Sequence, residues 1–181
     1  MKKLIKWGLI AFVVIGGIGA LSGSGKESSS STPAGDKKEG TTQPTYKTND
    51  VIAAKNMEIT ITSVTQKNSV GGQYFNEAPS EGATLVVVQW QYKNISDKPL
   101  KSYSFPSIKL TDQNGTEYRS DIGKTSTYAT EIKLDRKLFS DLNPGITVKD
   151  AEVFEISKET YSKGGWKVRI NADSQTYSVE L

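Results

Sequence analysis

The sequence predicts an all-β protein, an antiparallel β-sandwich of about seven strands. Three observations support this prediction. The stretch 85–94, LVVVQWQYKN, alternates with a period of two, and several other segments alternate in the same way. Gly, Pro and Asn-Gly turn signals separate these segments. The chain shows no repeat of fixed period, so a sandwich of separate short strands is the architecture that fits.

The stretch 85–94 is predicted to be the central strand. The residues of its apolar face are Val86, Val88, Trp90 and Tyr92. The opposite face begins apolar, at Leu85 and Val87, and turns polar halfway along. Burying one large apolar side chain stabilises a fold by about 1.5 to 3 kcal/mol, so four of them approach the net stability of a domain. We therefore expect Trp90 to be a core anchor and Gln91 to lie on the other face.

Further strands follow from the same alternation. Segment 57–61 predicts a half-buried strand before the central one, and segments 166–170 and 177–181 predict two strands at the end of the chain. Segment 147–156 is also strand-like, but its apolar residues change parity between Val153 and Phe154. This change indicates either a bulge or a strand covered on both faces.

Turn chemistry places the connections. Residues 112–115, DQNG, contain the Asn-Gly pair typical of a hairpin, and residues 143–145, NPG, match a type II turn. Segment 68–83 has too many Gly and Pro residues for regular structure and is predicted to be a long loop. Residues 120–142 fit neither period, although Leu134 and Leu138 at i, i+4 spacing allow a short helix.

Residues 1–21 predict an export signal. Lysines at the start precede an uncharged apolar run, so the positive-inside rule keeps this flank in the cytoplasm and places the rest outside. If it is retained, the segment is a single-pass anchor in the cytoplasmic membrane, and this is the outcome we expect. Cleavage near Ala20-Leu21-Ser22, which would release a secreted domain, remains the alternative. Lipoprotein processing is excluded because the chain has no Cys.

Residues 22–45 predict a disordered tether rich in Ser, Gly and Thr. This stretch contains no Val, Ile, Leu, Met or aromatic residue, so it has no large apolar side chains from which to build a core. Such a composition makes a flexible coil that holds a domain away from a membrane surface. The folded domain is therefore expected to cover residues 46–181.

Charge and composition exclude several function classes. Three of the 23 Lys and Arg lie before residue 25, which leaves 20 against 20 Asp and Glu in the rest of the chain. A neutral body lacks the basic footprint of a nucleic-acid-binding protein. With no His and no Cys, the chain has no imidazole base, thiol nucleophile or Cys/His zinc site. We predict a protein that is not an enzyme and needs no cofactor or metal.

The motifs MEITITSV, TLVVVQWQYKNISDKP, IKLTDQNGTEY, LNPG and VFEIS occur in this order. In that order they resemble the telokin-like, immunoglobulin-like domain of exported bacterial proteins, a domain of unknown function. The resemblance covers about residues 50–181. It implies a small surface-exposed sandwich and brings no active site with it. Members are commonly lipoproteins or proteins held by one membrane helix, and this chain departs from the lipoprotein form because it lacks the Cys.

Tyr74 and Phe75, in loop 68–83, are the candidate ligand-binding residues. Loops on a rigid sandwich are where binding residues gather, and two adjacent aromatics offer a rigid apolar contact. The alternative is that one of the pair tucks under the loop and caps the core. The two interpretations differ in whether removing the rings affects binding or stability.

The predicted function is a membrane-tethered extracytoplasmic module that binds an envelope protein, an envelope polymer or another ligand. The alternative is a small exported hydrolase that uses carboxylates or a metal ion. Asp112, Asn114 and Glu117 are the oxygen donors weighed for calcium, but their spacing departs from an EF-hand loop and fits a polar hairpin turn better. The ligand and the oligomeric state are not determined by the sequence.

Overall fold

A computed structural model of the protein describes residues 44–136 and 140–181. The predicted export segment and nearly all of the predicted tether lie outside these residues. The strands are β1 (Thr45–Lys47), β2 (Ile52–Ala53), β3 (Met57–Lys67), β4 (Val70–Gly71), β5 (Asn76–Glu77), β6 (Ala83–Asn94), β7 (Ser107–Thr111), β8 (Glu117–Tyr118), β9 (Thr147–Ser157), β10 (Lys167–Ala172) and β11 (Gln175–Glu180). The helices are α1 (Ile122–Glu131) and α2 (Lys158–Ser162), with a 3-10 turn at Ser102–Ser104.

Two sheets build the core, which confirms a mainly β protein. Within the described residues, one sheet has the strand order β2-β3-β6-β9 and the other has the order β1-β11-β10-β7-β8. Strands β4 and β5 form a separate small hairpin. The pairing of β1 with β11 is parallel, so the predicted antiparallel sandwich was wrong at this strand. The described residues form eleven strands, where about seven were predicted. The longest strands, β3, β6 and β9, have 11, 12 and 11 residues, so they are longer than predicted.

Strand β6 lies at the centre of its sheet, as predicted. It pairs antiparallel with β3 on one side and with β9 on the other. Its apolar face packs against the second sheet, and Trp90 is only 2% exposed. The Trp90 and Tyr92 rings lie 5.2 Å apart, and the Tyr92 ring lies 5.5 Å from Phe105. Aromatic packing at these distances adds to the area that the rings bury.

The second face of β6 is also partly buried, because α1 packs on it. A separate apolar cluster is formed there by Val70, Leu85, Val87, Tyr128, Ala151 and Val153. Leu85 and Val87 are the two apolar residues with which this face begins. The halfway change from apolar to polar therefore marks where the helix and the β4–β5 hairpin stop covering the sheet.

Strand β9 is covered on both faces and has no bulge. Its register with β6 runs without a shift from Thr147 to Ser157. Val153 belongs to the cluster under α1, whereas Phe154 belongs to the core between the sheets. The bulge alternative was therefore wrong for this strand, and a register shift occurs instead in β3, between Ile61 and Ser63.

The predicted turns are confirmed. The DQNG segment connects β7 to β8, with Gly115 at φ +82° and its N–H donating to the Asp112 carbonyl at 3.0 Å. In the NPG turn, the Ile146 N–H donates to the Asn143 carbonyl at 3.2 Å, and Gly145 has φ +77°. Both glycines adopt the left-handed region that a residue with a Cβ rarely enters.

The helical segments differ from the prediction. Helix α1 spans Ile122–Glu131, upstream of Leu134, and Leu138 lies outside the described residues. The carboxylate of Asp121 caps α1 by accepting from the Lys124 N–H at 2.9 Å. Segment 68–83, predicted as irregular, contains the β4–β5 hairpin. Neither helix in the described part of the chain is long and apolar enough to cross a membrane.

Candidate functional site

A surface groove lies between the β4–β5 hairpin and the outward face of α1. We call it the hairpin–helix groove. Its lining residues are Gly71, Gly72, Phe75, Ser126, Thr127, Thr130 and Glu131, around a volume of about 400 Å³. This volume is within the range of about 300 to 1,000 Å³ that is usual for ligand sites. The groove contains one of the two predicted binding residues, Phe75, together with a helix that the sequence analysis did not foresee.

Gly71 brings the hairpin backbone close to the helix. It has φ +111°, and a Cβ built on it would lie 2.1 Å from the Phe75 carbonyl oxygen and 2.9 Å from Cγ2 of Thr127. Both distances are too short for a real side chain, and the first is to backbone that cannot move away cheaply. Only glycine fits this position. The absence of a side chain at Gly71 lets the hairpin backbone approach Thr127 of α1, so the groove is narrow at this point.

Glu131 joins the hairpin to the last turn of α1. Its carboxylate accepts from the Gly71 N–H at 2.8 Å and forms an ion pair of 2.5 Å with Lys67 at the end of β3. Burial by itself would raise the pKa of Glu131, but the hydrogen bonds from Lys67 and Gly71 outweigh burial and lower this pKa below its usual value. The carboxylate therefore stays ionised and neutralised, and it adds little net charge to the groove.

Strand β5 is held to the helix by a second carboxylate. The Thr127 hydroxyl donates a hydrogen bond to Glu77. The Asn76 side-chain amide donates to the hydroxyl of Ser69, the residue before β4, at 3.3 Å. The hairpin is thus fixed to α1 through both of its strands, so the position of its tip follows the helix.

The start of α1 is anchored on β9. The Asp121 N–H donates to the Val153 carbonyl at 2.8 Å, and the Val153 N–H donates to the Thr125 hydroxyl at 2.9 Å. These two bonds occupy backbone groups on an outer strand of the sheet, which are groups that must find partners when they are buried. The helix therefore covers part of the sheet edge while it forms one wall of the groove.

An ion-pair network strengthens this anchor. Lys124 lies 3.1 Å from Asp121 and 2.8 Å from Glu155 of β9. Its hydrogen bonds with Glu155 and then with Asp121 raise the pKa of Lys124 above its usual value. On the other side, the hydrogen bond from Lys124 and a second one from Ser80 lower the pKa of Glu155 to about 2. The network is thus fully charged at neutral pH.

The apolar cluster under α1 lies behind the helix and the hairpin that form the two walls of the groove. Tyr128, which is 4% exposed, lies in this cluster, and its hydroxyl accepts from the Gln89 side-chain amide at 2.7 Å. The ammonium group of Lys67 lies 4.8 Å from the centre of the Tyr128 ring, which is a cation–π distance. Both walls therefore stand on a packed and hydrogen-bonded base.

The two predicted binding residues lie at the tip of the hairpin and are both exposed. Tyr74 is 96% exposed and Phe75 is 64% exposed. Neither ring belongs to the core, so the structure does not show the capping arrangement that the sequence left open. Phe75 contributes to the lining of the groove, whereas Tyr74 is not among its lining residues.

The hydroxyl groups on the helix wall are used as donors within the fold. Ser126 donates to the Ile122 carbonyl at 2.9 Å, and Thr130 donates to the Ser126 carbonyl at 3.0 Å. Thr127 donates to Glu77. The groove therefore presents mainly methyl groups, an aromatic ring and backbone to a ligand, an arrangement that suits apolar contact.

The carboxylate candidates at the β7–β8 turn are engaged in the hairpin. Asp112 accepts from the N–H groups of Asn114 and Thr116, both at 2.9 Å. Burial would raise the pKa of Asp112, but these backbone bonds lower it. Glu117 binds Lys109 at 2.6 Å and Arg169 at 2.5 Å. Within the described ranges, no group of three or more acidic residues could hold a metal ion.

Arg136 forms an ion-pair cluster with two carboxylates of β9, which the sequence analysis did not predict. Its side chain is 16% exposed and lies 2.5 Å from Asp150 and 3.4 Å from Glu152 of β9. Burial raises the pKa of Glu152 above its usual value. A hydrogen bond with Ser120 and the charge of Arg136 lower this pKa, but burial has the larger effect. Asp150, Glu152 and Phe154 lie on the same face of β9. Because the first two are polar, the apolar residues of β9 change parity between Val153 and Phe154.

The sequence analysis named the aromatic pair as candidates but did not predict the helix that forms the other wall of the groove. The segment IGKTSTYATE is rich in Thr and contains Gly, residues with low helix propensity. A signal was nevertheless present. Asp121 is a favoured N-cap residue, and Thr125, Tyr128 and Ala129 at i, i+3 and i+4 form one buried stripe.

The fold and the groove together define a class, a β-sandwich domain that carries a helix and a hairpin on the outer face of one sheet. Residues 46–178 match the model of the family described as Domain of unknown function (DUF4352). The chain belongs to this family.

Relatives share the sequence over the same part of the chain. The Uncharacterized protein YxkC of Bacillus subtilis (strain 168) is 45% identical over 133 residues, which are 73% of this chain and 74% of that protein. A crystal structure of a conserved hypothetical protein from Bacillus anthracis has a TM-score of 0.67 and 27% identity, covering 75% of this chain and 95% of its own.

The fold extends to more distant proteins. The crystal structure of an uncharacterized β-sandwich protein from Clostridium difficile 630 has a TM-score of 0.57 and 17% identity. The match covers 80% of this chain and 98% of that one. At this level of identity the likeness concerns the fold, and the fold is a β-sandwich.

Proposed function

We propose that this protein is a membrane-tethered binding module that works outside the cytoplasmic membrane, and that the hairpin–helix groove is its contact surface. The partner is an envelope protein that places an apolar side chain in the groove and packs on Tyr74. The protein carries out no chemistry on that partner and uses no cofactor. An envelope polymer as the ligand is an outcome of the test below.

The single observation that carries this proposal is the exposure of Tyr74 and Phe75 on a fixed support. Tyr74 is 96% exposed and Phe75 is 64% exposed. Burying their rings against a partner would lower the free energy, because it removes apolar area from water. Aromatic residues are enriched at protein interfaces and at binding hot spots. A tip that is held by Gly71 and Glu77 loses little conformational freedom when it binds, so more of the contact energy becomes affinity.

The electrostatics of the groove favour a protein partner over a charged polymer. Glu131 is the one acidic residue that lines the groove, and it is paired with Lys67. A ligand that carries many like charges would gain no opposite charge from this lining. An apolar side chain with a polar rim around it is complementary to the surface that the groove presents.

The location of the module follows from the sequence rather than from the fold. The basic and then apolar segment 1–21 supports a retained anchor with its N-terminus inside. The polar segment 22–45 supports a tether that separates the domain from the membrane. The resemblance to telokin-like, immunoglobulin-like domains of exported proteins supports the same placement, and we keep that finer fold class as part of the proposal.

The hydrolase alternative has less support. The acidic residues weighed for a calcium site at the β7–β8 turn are bonded to backbone amides, Lys109 and Arg169. Glu152 has a raised pKa, which is a feature of catalytic acids, but its carboxylate is engaged by Arg136 and by hydrogen bonds with Ser120 and Thr125. A partly buried structural ion pair explains this carboxylate without a substrate.

The contact surface is tested by capture from the native cell envelope with the tagged full chain. The variant Tyr74→Ala with Phe75→Ala should lose a specific protein partner, while its melting temperature stays close to that of the unchanged protein because neither ring belongs to the core. The matched control is Val51→Ala, which trims another exposed apolar side chain, 59% exposed, outside the groove. This control should retain the partner.

Two results would contradict the contact surface. One is undiminished capture by the double variant, and the other is a loss of capture that only parallels a fall in melting temperature. Capture of a polymer in place of a protein would correct the partner class. For the tether, intact mass should show an uncleaved N-terminus and membrane association should resist high salt, whereas a mature chain starting near Gly23 in the medium would exclude the anchor.

A further inference from the structure

A second concave surface lies along the β10–β11 turn, beside the 3-10 turn that precedes β7. We call it the polar groove. Its volume is about 650 Å³, and its lining includes Asn56, Tyr103, Asn171, Asp173, Ser174 and Gln175. No part of this lining is shared with the hairpin–helix groove. It has no role in the function proposed above.

The lining of the polar groove is rich in hydrogen-bonding groups and poor in charge. It contains amide, hydroxyl and carboxylate side chains and no Lys or Arg. Asp173 is the one acidic residue in the lining. A surface without a cation has nothing to neutralise a phosphate or a carboxylate, and a surface with this many polar groups is a poor receptor for a lipid. The chemistry suits an uncharged ligand with many hydroxyl groups.

Internal hydrogen bonds orient the polar groups before any ligand arrives. Asp173 accepts from the main-chain N–H and from the side-chain amide of Asn56, both at 2.7 Å. The Oδ1 of Asn171 accepts from the Thr176 hydroxyl at 3.0 Å, and the Oε1 of Gln175 accepts from the Tyr177 hydroxyl at 3.0 Å. The amides of Asn171 and Gln175 therefore have their oxygen engaged and their NH₂ group available as a donor.

Tyr103 supplies an aromatic face at the edge of this groove. Its side chain is 87% exposed, and it lies in the middle of the 3-10 turn Ser102–Ser104. The turn is fixed on both sides, because Leu100 forms a β-bridge with Leu142 and Phe105 packs on Tyr92 at 5.5 Å. The exposed ring thus stands on a rigid support, as a stacking platform requires.

In the β10–β11 turn, Ser174 adopts a left-handed backbone conformation that glycine would adopt with less strain. Asp173 and Ser174 have φ of +50° and +62°, the left-handed values of a two-residue hairpin turn. Asp tolerates this conformation, but serine does so less well than glycine. Strained residues of this kind gather at functional sites, and here the strain places Ser174 in the lining of the groove.

We propose that the polar groove binds an uncharged carbohydrate, with one sugar ring stacked on Tyr103. The C–H groups on one face of a pyranose ring carry a partial positive charge and complement the negative face of an aromatic ring. The sugar hydroxyls donate to the carboxylate of Asp173 and accept from the amide groups of Asn171 and Gln175. A neutral glycan of the cell envelope is the source that this surface fits, and the site is independent of the hairpin–helix groove.

The test is saturation-transfer difference NMR on the full chain in detergent micelles. The probes are tri-N-acetylchitotriose and maltotriose as neutral sugars, and trigalacturonate as a charged one. At least one neutral trisaccharide should receive saturation at its ring protons, and trigalacturonate should not, because the lining has no cation to bind its carboxylates. Titrations should give a dissociation constant that Tyr103→Ala raises roughly tenfold or more.

Two variants distinguish stacking of the sugar on the Tyr103 ring from a nonspecific effect of trimming any exposed side chain. Tyr103→Phe keeps the ring and should keep the affinity. Ile122→Ala, which trims a side chain 81% exposed at the start of α1, should not change it. The proposal is overturned if neither neutral trisaccharide binds, if Tyr103→Ala binds as well as the unchanged chain, or if trigalacturonate binds as well as the neutral sugars.

Discussion

The central strand and the hairpin tip use the same kind of side chain in opposite ways. Trp90 and Tyr92 of β6 are 2% and 3% exposed, between two sheets, whereas Tyr74 and Phe75 are 96% and 64% exposed at the end of a short hairpin. In β6 the aromatic rings stabilise the fold directly, because burial removes them from water. At the tip the same apolar area stays in water, so it contributes nothing comparable to folding.

The positions of Tyr74 and Phe75 are therefore not explained by a contribution to stability. The hairpin is held against α1 at Gly71, which has no room for a Cβ, and by hydrogen bonds to Glu131 and Glu77. The two aromatic rings at its tip are nevertheless exposed. A rigid support under exposed rings is what a contact surface requires and what a core does not. The predictions below test whether the two regions differ in energetics as they do in exposure.

The largest effect is expected in the core. Replacing Trp90 by Ala removes a ring packed against Tyr92 and leaves a cavity, so the free energy of unfolding should fall by about 3 to 5 kcal/mol. Tyr74→Ala and Gln91→Ala should each change it by no more than about 0.5 kcal/mol. Urea denaturation followed by tryptophan fluorescence and circular dichroism measures all three. Equal losses from Trp90→Ala and Gln91→Ala would mean that the faces of β6 are wrongly assigned.

An intermediate effect is expected at the base of the hairpin. Gly71→Ala forces a Cβ against the Phe75 carbonyl at a backbone angle of +111°, so it should cost about 1 to 3 kcal/mol and loosen the tip. Its matched control is Gly72→Ala, where a Cβ would meet nothing within 4 Å and φ is not in the left-handed region. Thermal unfolding and amide hydrogen exchange of 70–77 measure the two parts of this effect. If both alanines behave alike, the close approach of hairpin and helix is not what fixes the tip.

A smaller effect is expected from acid. The Lys124 hydrogen bond lowers the pKa of Glu155 from its usual 4.5 to about 2, so the folded state binds a proton less readily than the unfolded state. The stability from this pair is fully present above pH 4.5 and is lost as the pH falls toward 2. For a pair near the surface we expect on the order of 1 kcal/mol. Melting temperatures between these limits should fall less steeply for Glu155→Gln than for the unchanged chain.

The control for acid is the ion pair of Lys101 with Asp141, at 2.7 Å, whose side chains are 57% and 41% exposed. Asp141→Asn should leave the acid profile almost unchanged, since exposed pairs contribute little. A Glu155→Gln profile that matches the unchanged chain would show that α1 is held on β9 by its backbone bonds and apolar contacts without help from the ion pair.

The patterns that predicted strands correctly were local ones. The alternation of Val86 to Tyr92 follows from the pleat of a single strand, and the DQNG and NPG turns follow from the backbone angles that Gly and Pro allow. Neighbours in the chain fix these features, so they are visible without a partner. They determined the central strand, its buried face, Trp90 as a core residue and the mainly β class.

The features that were missed depend on residues far apart in the chain. Folding brings Asp150 and Glu152 of β9 beside Arg136, so all three side chains are partly buried and paired. This contact explains why polar residues occur on the face of β9 that also carries Phe154. Helix α1 has a weak intrinsic propensity, and it is stabilised by the cluster with Leu85 and Val87 and by its bonds to Val153. No local pattern contains these contacts.

The alternating residues, the turns and the aromatic residues outside the periodic strands could be read from the amino-acid sequence. That Phe75 lies beside a helix, that Glu131 pairs with Lys67, and that Tyr103 borders a polar groove became known from the folded domain. This is because the alternation of a strand depends on which of its own faces is buried. A groove is made by surfaces whose residues are distant in sequence, and their approach depends on the packing of the whole domain.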